Sequence, residues 1–167
     1  MTPDPSEPRA RPVPPFHVRQ LTIEDGLTLA MLPQPGAWQV HDALQPPDEG
    51  YWAVADSAEA LLGFCCLGEP ARAAGQTGHP AVLDIAIGIR PELSGQGWGA
   101  ELGRAAVAYA RSVALDRRLR TTVPEWNAVG LHVAVQSGFV RSGTISLGGR
   151  QYAVLDQPGP RDQRHDP

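Results

Sequence analysis

Apolar and polar positions along the chain change period repeatedly, and each change marks a predicted element. Residues 16–22 alternate well enough, with Phe16 and Val18 set between polar neighbours, to predict the first strand. Residues 23–32 predict a helix, with Thr22 as its N-cap and Pro33 as its stop. Residues 35–44, carrying Trp38 and His41, read as a second short helical or irregular piece, and 46–50 as a loop. Strands over 51–55 and 61–67 form a hairpin that turns at Asp56-Ser57, and the glycines and prolines of 68–80 make a loop. Residues 81–89 return as a central strand in which Ile85, Ile87 and Ile89 alternate with small residues. A helix follows over 97–115, with Leu102, Ala105, Ala106, Tyr109 and Val113 on one stripe. A strand over 119–123, a helix over 127–136 stopped by Gly138, and a hairpin of 139–147 and 150–155 across Gly148-Gly149 complete the chain.

At 167 residues this is one domain with room for a core. Residues 1–15 hold six prolines without periodicity and read as a disordered leader. The domain is expected over 16–156, with a flexible tail over 157–167. No apolar run approaches a membrane span and no secretory h-region is visible, so a cytoplasmic protein without a membrane partner is expected. The two cysteines, Cys65 and Cys66, are neighbours in a strand and point to opposite faces, which disfavours a disulfide. All 14 basic residues are arginine, and together with abundant Ala, Gly and Pro this suggests a GC-rich bacterial source. With net charge −4, the one basic cluster (Arg111, Arg117, Arg118, Arg120) reads as a solvated helix end, and no nucleic-acid partner is expected. The 5 histidines are scattered without ligand spacing, so no metal is expected.

Chemistry concentrates after the central strand. Pro91 ends strand pairing, and Gly95, Gly97 and Gly99 then feed a helix start. Such a turn leaves several main-chain N–H groups unpaired, and the helix dipole adds roughly half a positive charge, so a phosphate fits there without lysine. The run Gly95-Gln96-Gly97-Trp98-Gly99-Ala100 also fits the dinucleotide pattern G-x-G-x-x-G/A, with Asp116 near the spacing of the ribose-binding acid. That reading fails on context, because residues 90–94 separate the turn from its strand and too little chain remains for a doubly wound sheet.

The run Ile89-x-Pro91-x-x-Ser94-Gly95-x-Gly97-x-Gly99 resembles the acyl-CoA signature of the GNAT superfamily of N-acyltransferases, V-x-P-x-x-[QR]-G-x-G-x-[GA], with Ser94 in place of Gln or Arg. Asn127-x-x-Gly130-x-x-Val133-Ala134-x-x-x-Gly138-Phe139 resembles the family's second signature, N-x-x-A-x-x-[LF]-Y-x-x-x-G-F. The resemblance implies an α/β (α+β) GNAT fold: a mixed, mostly antiparallel sheet of about seven strands, flanking helices, and an acyl-CoA cleft where strands 83–89 and 119–123 splay. It implies that the backbones of Ile87 and Ile89 pair with pantetheine and that the Ile89 amide donates to the thioester carbonyl. Ser94, Gly95, Gln96, Gly97, Trp98, Gly99 and Ala100 would hold the pyrophosphate, and Asn127 the cofactor arm. Both isoleucines also suit a core, and Asn127 also suits an N-cap.

The same resemblance implies acetyl-CoA or another acyl-CoA as co-substrate and a small-molecule or peptide amine as acceptor, attacked directly in a ternary complex. Trp38 and His41 would wall the acceptor pocket. Ala134 stands where the family commonly has a tyrosine acid, which leaves Ser137 as the acid candidate. Asp84 is the candidate base and Glu69 a second choice. His132 is placed on the solvent side of its helix. The expected activity is N-acetyl transfer by a monomer or homodimer, and the alternative is a catalytically weakened GNAT-fold acyl-CoA sensor or interaction module.

Overall fold

The structure, a computed structural model, describes residues 11–31 and 50–160. The expected piece at 35–44, with Trp38 and His41, lies outside the described residues. Seven strands are present among those described: β1 (His17–Gln20), β2 (Tyr51–Ala55), β3 (Leu61–Leu67), β4 (Val82–Ile89), β5 (Arg118–Pro124), β6 (Val140–Leu147) and β7 (Arg150–Gln157). Three α-helices join them: α1 (Ile23–Ala30), α2 (Gly99–Ala114) and α3 (Ala128–Gln136). The strands form one sheet in the order β1-β2-β3-β4-β5-β7-β6. Only β4 and β5 pair in parallel, and the remaining neighbours are antiparallel. A doubly wound dinucleotide fold needs a mainly parallel sheet, so that alternative falls.

Two cores form because β3 and β4 alternate. Ile85 joins Leu102 and Ala106 of α2, Ala134 of α3, Leu119 and Phe139 on one face. Leu29 of α1 joins Phe64, Cys66 and Ala86 on the other. Cys65 and Cys66 fall in different cores, as their adjacency requires. Burial pushes the Cys65 thiol up to about 12 and Cys66 higher still, so neither supplies a thiolate near neutral pH.

The buried stripe of α2 is rotated from the expected one. Val107, Ala110 and Ala114 are buried while Val113 is 41% exposed. The cause is a second packing partner: α2 lies against α3 as well as the sheet, and a β-carbon at Gly103 would come within 2.2 Å of Ser137 Oγ. Glycine there allows the two helices to approach.

Among the described residues, both ends of the chain are tied to the domain. Val13 N donates to Asp56 Oδ2 at 3.0 Å, and the Val13 carbonyl accepts from Ser57 N at 2.9 Å. At the other end, Arg111 donates to the carbonyls of Gln157 and Pro158 at 2.9 and 2.7 Å. Arg118 pairs with Asp156 and Arg120 with Asp84, so much of the basic cluster serves internal contacts. No described helix is long and apolar enough to cross a membrane.

Thr22 caps α1 in a capping box: its Oγ1 accepts from Asp25 N at 3.1 Å, and its own N–H donates to Asp25 Oδ2 at 2.9 Å. Burial alone would raise Asp25, but hydrogen bonds from Arg19 and Thr22 outweigh it and hold the carboxyl below its ordinary value. Burial is likewise outweighed at Asp56 by the amides of Val13, Ala60 and Ala58. A folded pKa below the unfolded one gives stability that is present above about 3.9 and is lost as pH falls through the folded value. The urea midpoint is therefore expected to be level above about pH 5 and to decline below about pH 4. In Asp56→Asn the midpoint should be lower near neutrality and the acid decline shallower; an unchanged decline would contradict this assignment.

Candidate functional site

The site begins where β4 and β5 part. Their register runs from Val82↔Arg118 to Asp84↔Arg120 and stops. Main-chain direction along β4 then decides what the open edge offers. The Asp84 carbonyl accepts from Gly68 N, and Arg90 N donates to Leu62 O, so even-numbered residues turn their peptide groups toward β3. The Ala81 carbonyl instead accepts from Arg118 N, on the β5 side. By the period of two, Ile87 and Ile89 direct their N–H and C=O groups toward β5, beyond the point where pairing has ended. Their side chains pack against the α2-side core. The side chains pack while the backbones face the cleft, so the core reading and the pantetheine reading do not exclude one another.

After β4, Pro91–Leu93 forms a 3-10 turn and the chain swings into α2. Gly95 and Gly97 have φ of +74° and +86°, a region that side chains disfavour, and a β-carbon at either would meet nothing within 4 Å. Glycine is required there by backbone conformation alone. No side chain caps α2, whose first turn contains Gly99, Ala100 and Glu101. The Trp98 carbonyl accepts from Leu102 N at 3.0 Å, and its ring lies 5.8 Å from that of Phe16, anchoring the turn to the domain. Gln96 Nε2 donates to the Glu92 carbonyl at 2.6 Å, so this side chain braces the loop. The segment from Ser94 to Gly97 is exposed. It combines an open loop, an uncapped helix end and a nearby unpaired strand edge, a donor set that suits a diphosphate joined to an amide-bearing arm.

Asn127 caps α3, accepting from Gly130 N at 2.9 Å, and also lines the cleft. The cleft has a volume of about 550 Å³ and runs between Ile85, Ile87 and Ile89 on one side and Thr121, Val123 and α3 on the other. No described residue lining it is acidic, basic or histidine.

Asp84 is placed elsewhere. It is 2% exposed, and its oxygens receive Arg72 Nε at 2.8 Å and Arg120 Nε at 2.6 Å. It does not line the cleft. The base role expected for Asp84 does not fit this geometry, because both oxygens are spent on arginines and neither is offered to the cleft. Asp84 instead holds together the last paired rung of β4 and β5, and Gln76 Nε2 adds a bond to Thr122 Oγ1 at 2.8 Å beside it. Glu69 is exposed in a 3-10 turn after β3.

Ser137 does not fit the acid role either. Its Oγ donates to the Val133 carbonyl at 2.7 Å, packs on Gly103 and lies outside the cleft lining. Ala134 lines the cleft and has no acidic proton to donate, while His132 is exposed, as its helical position requires. Trp38 and His41 lie outside the described residues. Leu29 and Phe64, unsuspected from sequence, line the α1 side of the cleft. Both read as ordinary core residues, and the only available signal was Gly88 in the strand facing Phe64.

Residues 18–139 match the Acetyltransferase (GNAT) family, a span that ends on the last residue of the second motif. The chain belongs to that family. No curated protein sequence matches it significantly. Among solved structures, a chimera of spermidine N-acetyltransferase from Vibrio cholerae and hSSAT is similar, with 18% identity, TM-score 0.65, and coverage of 90% of this chain and 99% of that one. An aminoglycoside acetyltransferase in complex with coenzyme A is similar at 15% identity and TM-score 0.64, again covering 90% and 99%. A GNAT-family acetyltransferase from Bacillus anthracis aligns over 65% of this chain and 66% of that one, at 16% identity and TM-score 0.52. At these identities the likeness establishes the fold.

Proposed function

We propose that this acyltransferase moves an acetyl group from acetyl-CoA to an amine, by direct attack of the neutral amine on the thioester in a ternary complex. The observation that carries this reading is the unpaired main-chain edge of Ile87 and Ile89 running into the uncapped start of α2. Pantetheine, which resembles a short peptide, would add a strand to that edge. The amides from Gly95 to Ala100 would receive the diphosphate, with Ser94 at the rim and Asn127 beside the arm. The Ile89 amide would donate to the thioester carbonyl oxygen and stabilise charge that grows during attack. The neighbours named for spermidine and for aminoglycosides act on amines, and a net charge of −4 suits a cationic amine approaching this chain.

Positioning and main-chain polarisation carry the rate in this scheme, because no described cleft-lining side chain titrates near neutrality. A thiolate leaving group has a pKa near ~8.5 and departs without an acid, at the cost of a general-acid contribution of roughly 10²–10⁴-fold. For an alkylamine acceptor, kcat/KM is expected to rise about tenfold per pH unit toward the amine's own pKa of about 10.4. A plateau well below that value would point to a protein base outside the described residues. The function is tested by following free CoA thiol in the presence of acetyl-CoA and a panel of polyamines, aminoglycosides and peptide amines. Acceptor-dependent release supports transfer; tight CoA binding without turnover on any amine would identify an acyl-CoA sensor instead.

A further inference from the structure

We infer that Phe64 sets the length of the acyl group this protein accepts, closing the cleft to chains much longer than acetyl. The inference rests on the acyl-CoA reading above. Phe64 of β3 stands opposite Gly88 of β4 in the antiparallel register, so the two share a face of the sheet. The phenyl ring lies across the glycine: a β-carbon at Gly88 would come within 2.2 Å of Cε1 and 2.5 Å of Cζ. It therefore reaches from β3 over β4 toward the open strand edge. Behind it stands Tyr51, whose ring centroid is 6.1 Å away, limiting retreat of the ring.

Phe64 and Leu29 belong to the α1-side core, whereas Ile85, Leu102, Ala134 and Phe139 belong to the α2-side core, and all six line one cleft. The splay of β4 and β5 thus opens through the plane of the sheet, and on the α1 side the described residues that line it are Phe64 and Leu29. Gly88 sits between Ile87 and Ile89, the two residues whose peptide groups face the cleft. A thioester carbonyl held at that edge would direct its alkyl chain over Gly88 and onto the ring. The wall is apolar and without charge, so it selects by volume.

The test needs no knowledge of the acceptor. Affinities of CoA, acetyl-CoA, butyryl-CoA and hexanoyl-CoA are measured by calorimetry on the wild-type protein, Phe64→Leu and Phe64→Ala. Wild-type protein is expected to bind hexanoyl-CoA at least about tenfold more weakly than acetyl-CoA, since overpacked chains are rejected. Each methylene newly accommodated is worth roughly fourfold, so Phe64→Ala should improve the butyryl-to-acetyl ratio by up to about 15-fold. Phe64→Leu, which keeps most of the core volume, should move the same ratio in the same direction by a smaller factor. A wild type that binds hexanoyl-CoA as tightly as acetyl-CoA would overturn the inference. So would ratios unchanged in Phe64→Leu protein that still binds CoA normally. Absence of CoA binding by the wild type would overturn the acyl-CoA reading itself, and this inference with it.

Discussion

Gly97→Val is expected to weaken CoA binding by about 100-fold while leaving the domain folded. The backbone at Gly97 has φ +86°, and a left-handed conformation costs an L-residue roughly 1–2 kcal/mol, more when the side chain is β-branched. The loop relieves that strain by changing conformation, and its N–H groups turn away from the diphosphate. A hydrogen bond to a charged group is worth about 1.5–3 kcal/mol, so losing one or two removes about two decades of affinity. The fold itself should suffer little, because a β-carbon at Gly97 meets nothing within 4 Å. Calorimetry with CoA, alongside thermal unfolding, separates the two effects. Valine protein that binds CoA as tightly as wild type would remove this loop from the site.

Asp84→Ala is expected to act in the opposite way, costing stability rather than chemistry. Removing one member of a buried ion pair strands the other, at about 3–5 kcal/mol. Arg72 is 26% exposed and Arg120 15%, so both retain some contact with solvent and the cost falls near the lower figure. Chemical denaturation should show that loss directly. The pH profile of the remaining turnover, corrected for the folded fraction, should match that of the wild type, since the carboxylate does not line the cleft. A profile that loses an acidic limb in Asp84→Ala would restore this residue to the role of base.

The contrast between these two residues shows what the sequence could carry. Strand and helix positions followed from local pattern: Ile85, Ile87 and Ile89 alternate, Thr22 caps, Pro91 stops, and two families of motif residues bracket β5. The turn proposed to hold the diphosphate was legible as a turn because glycine announces main-chain conformation directly, and Gly95 and Gly97 both adopt positive φ. Asp84 was misplaced because a carboxylate's role depends on its partners, and Arg72 and Arg120 lie 12 and 36 residues away. The stripe of α2 was shifted for a similar reason, since periodicity sees one apolar arc but not the second helix packed through Gly103. Phe64 was hidden by its own hydrophobicity. Nothing in the spacing of β3 distinguishes a ring that only fills a core from one that also lines a cleft.

The central claim is that main-chain groups from Ile87 through Ala100 grip the carrier, and amide NMR during a CoA titration tests it most directly. On ¹⁵N-labelled protein, saturable shifts are expected at Ile87, Ile89, Gly95, Gly97, Gly99 and Ala100, with the edge strand β6 unmoved. Silence at those amides under about 1 mM CoA, a concentration at which even binding of ~4 kcal/mol would register, or shifts centred elsewhere on the sheet, would contradict the account.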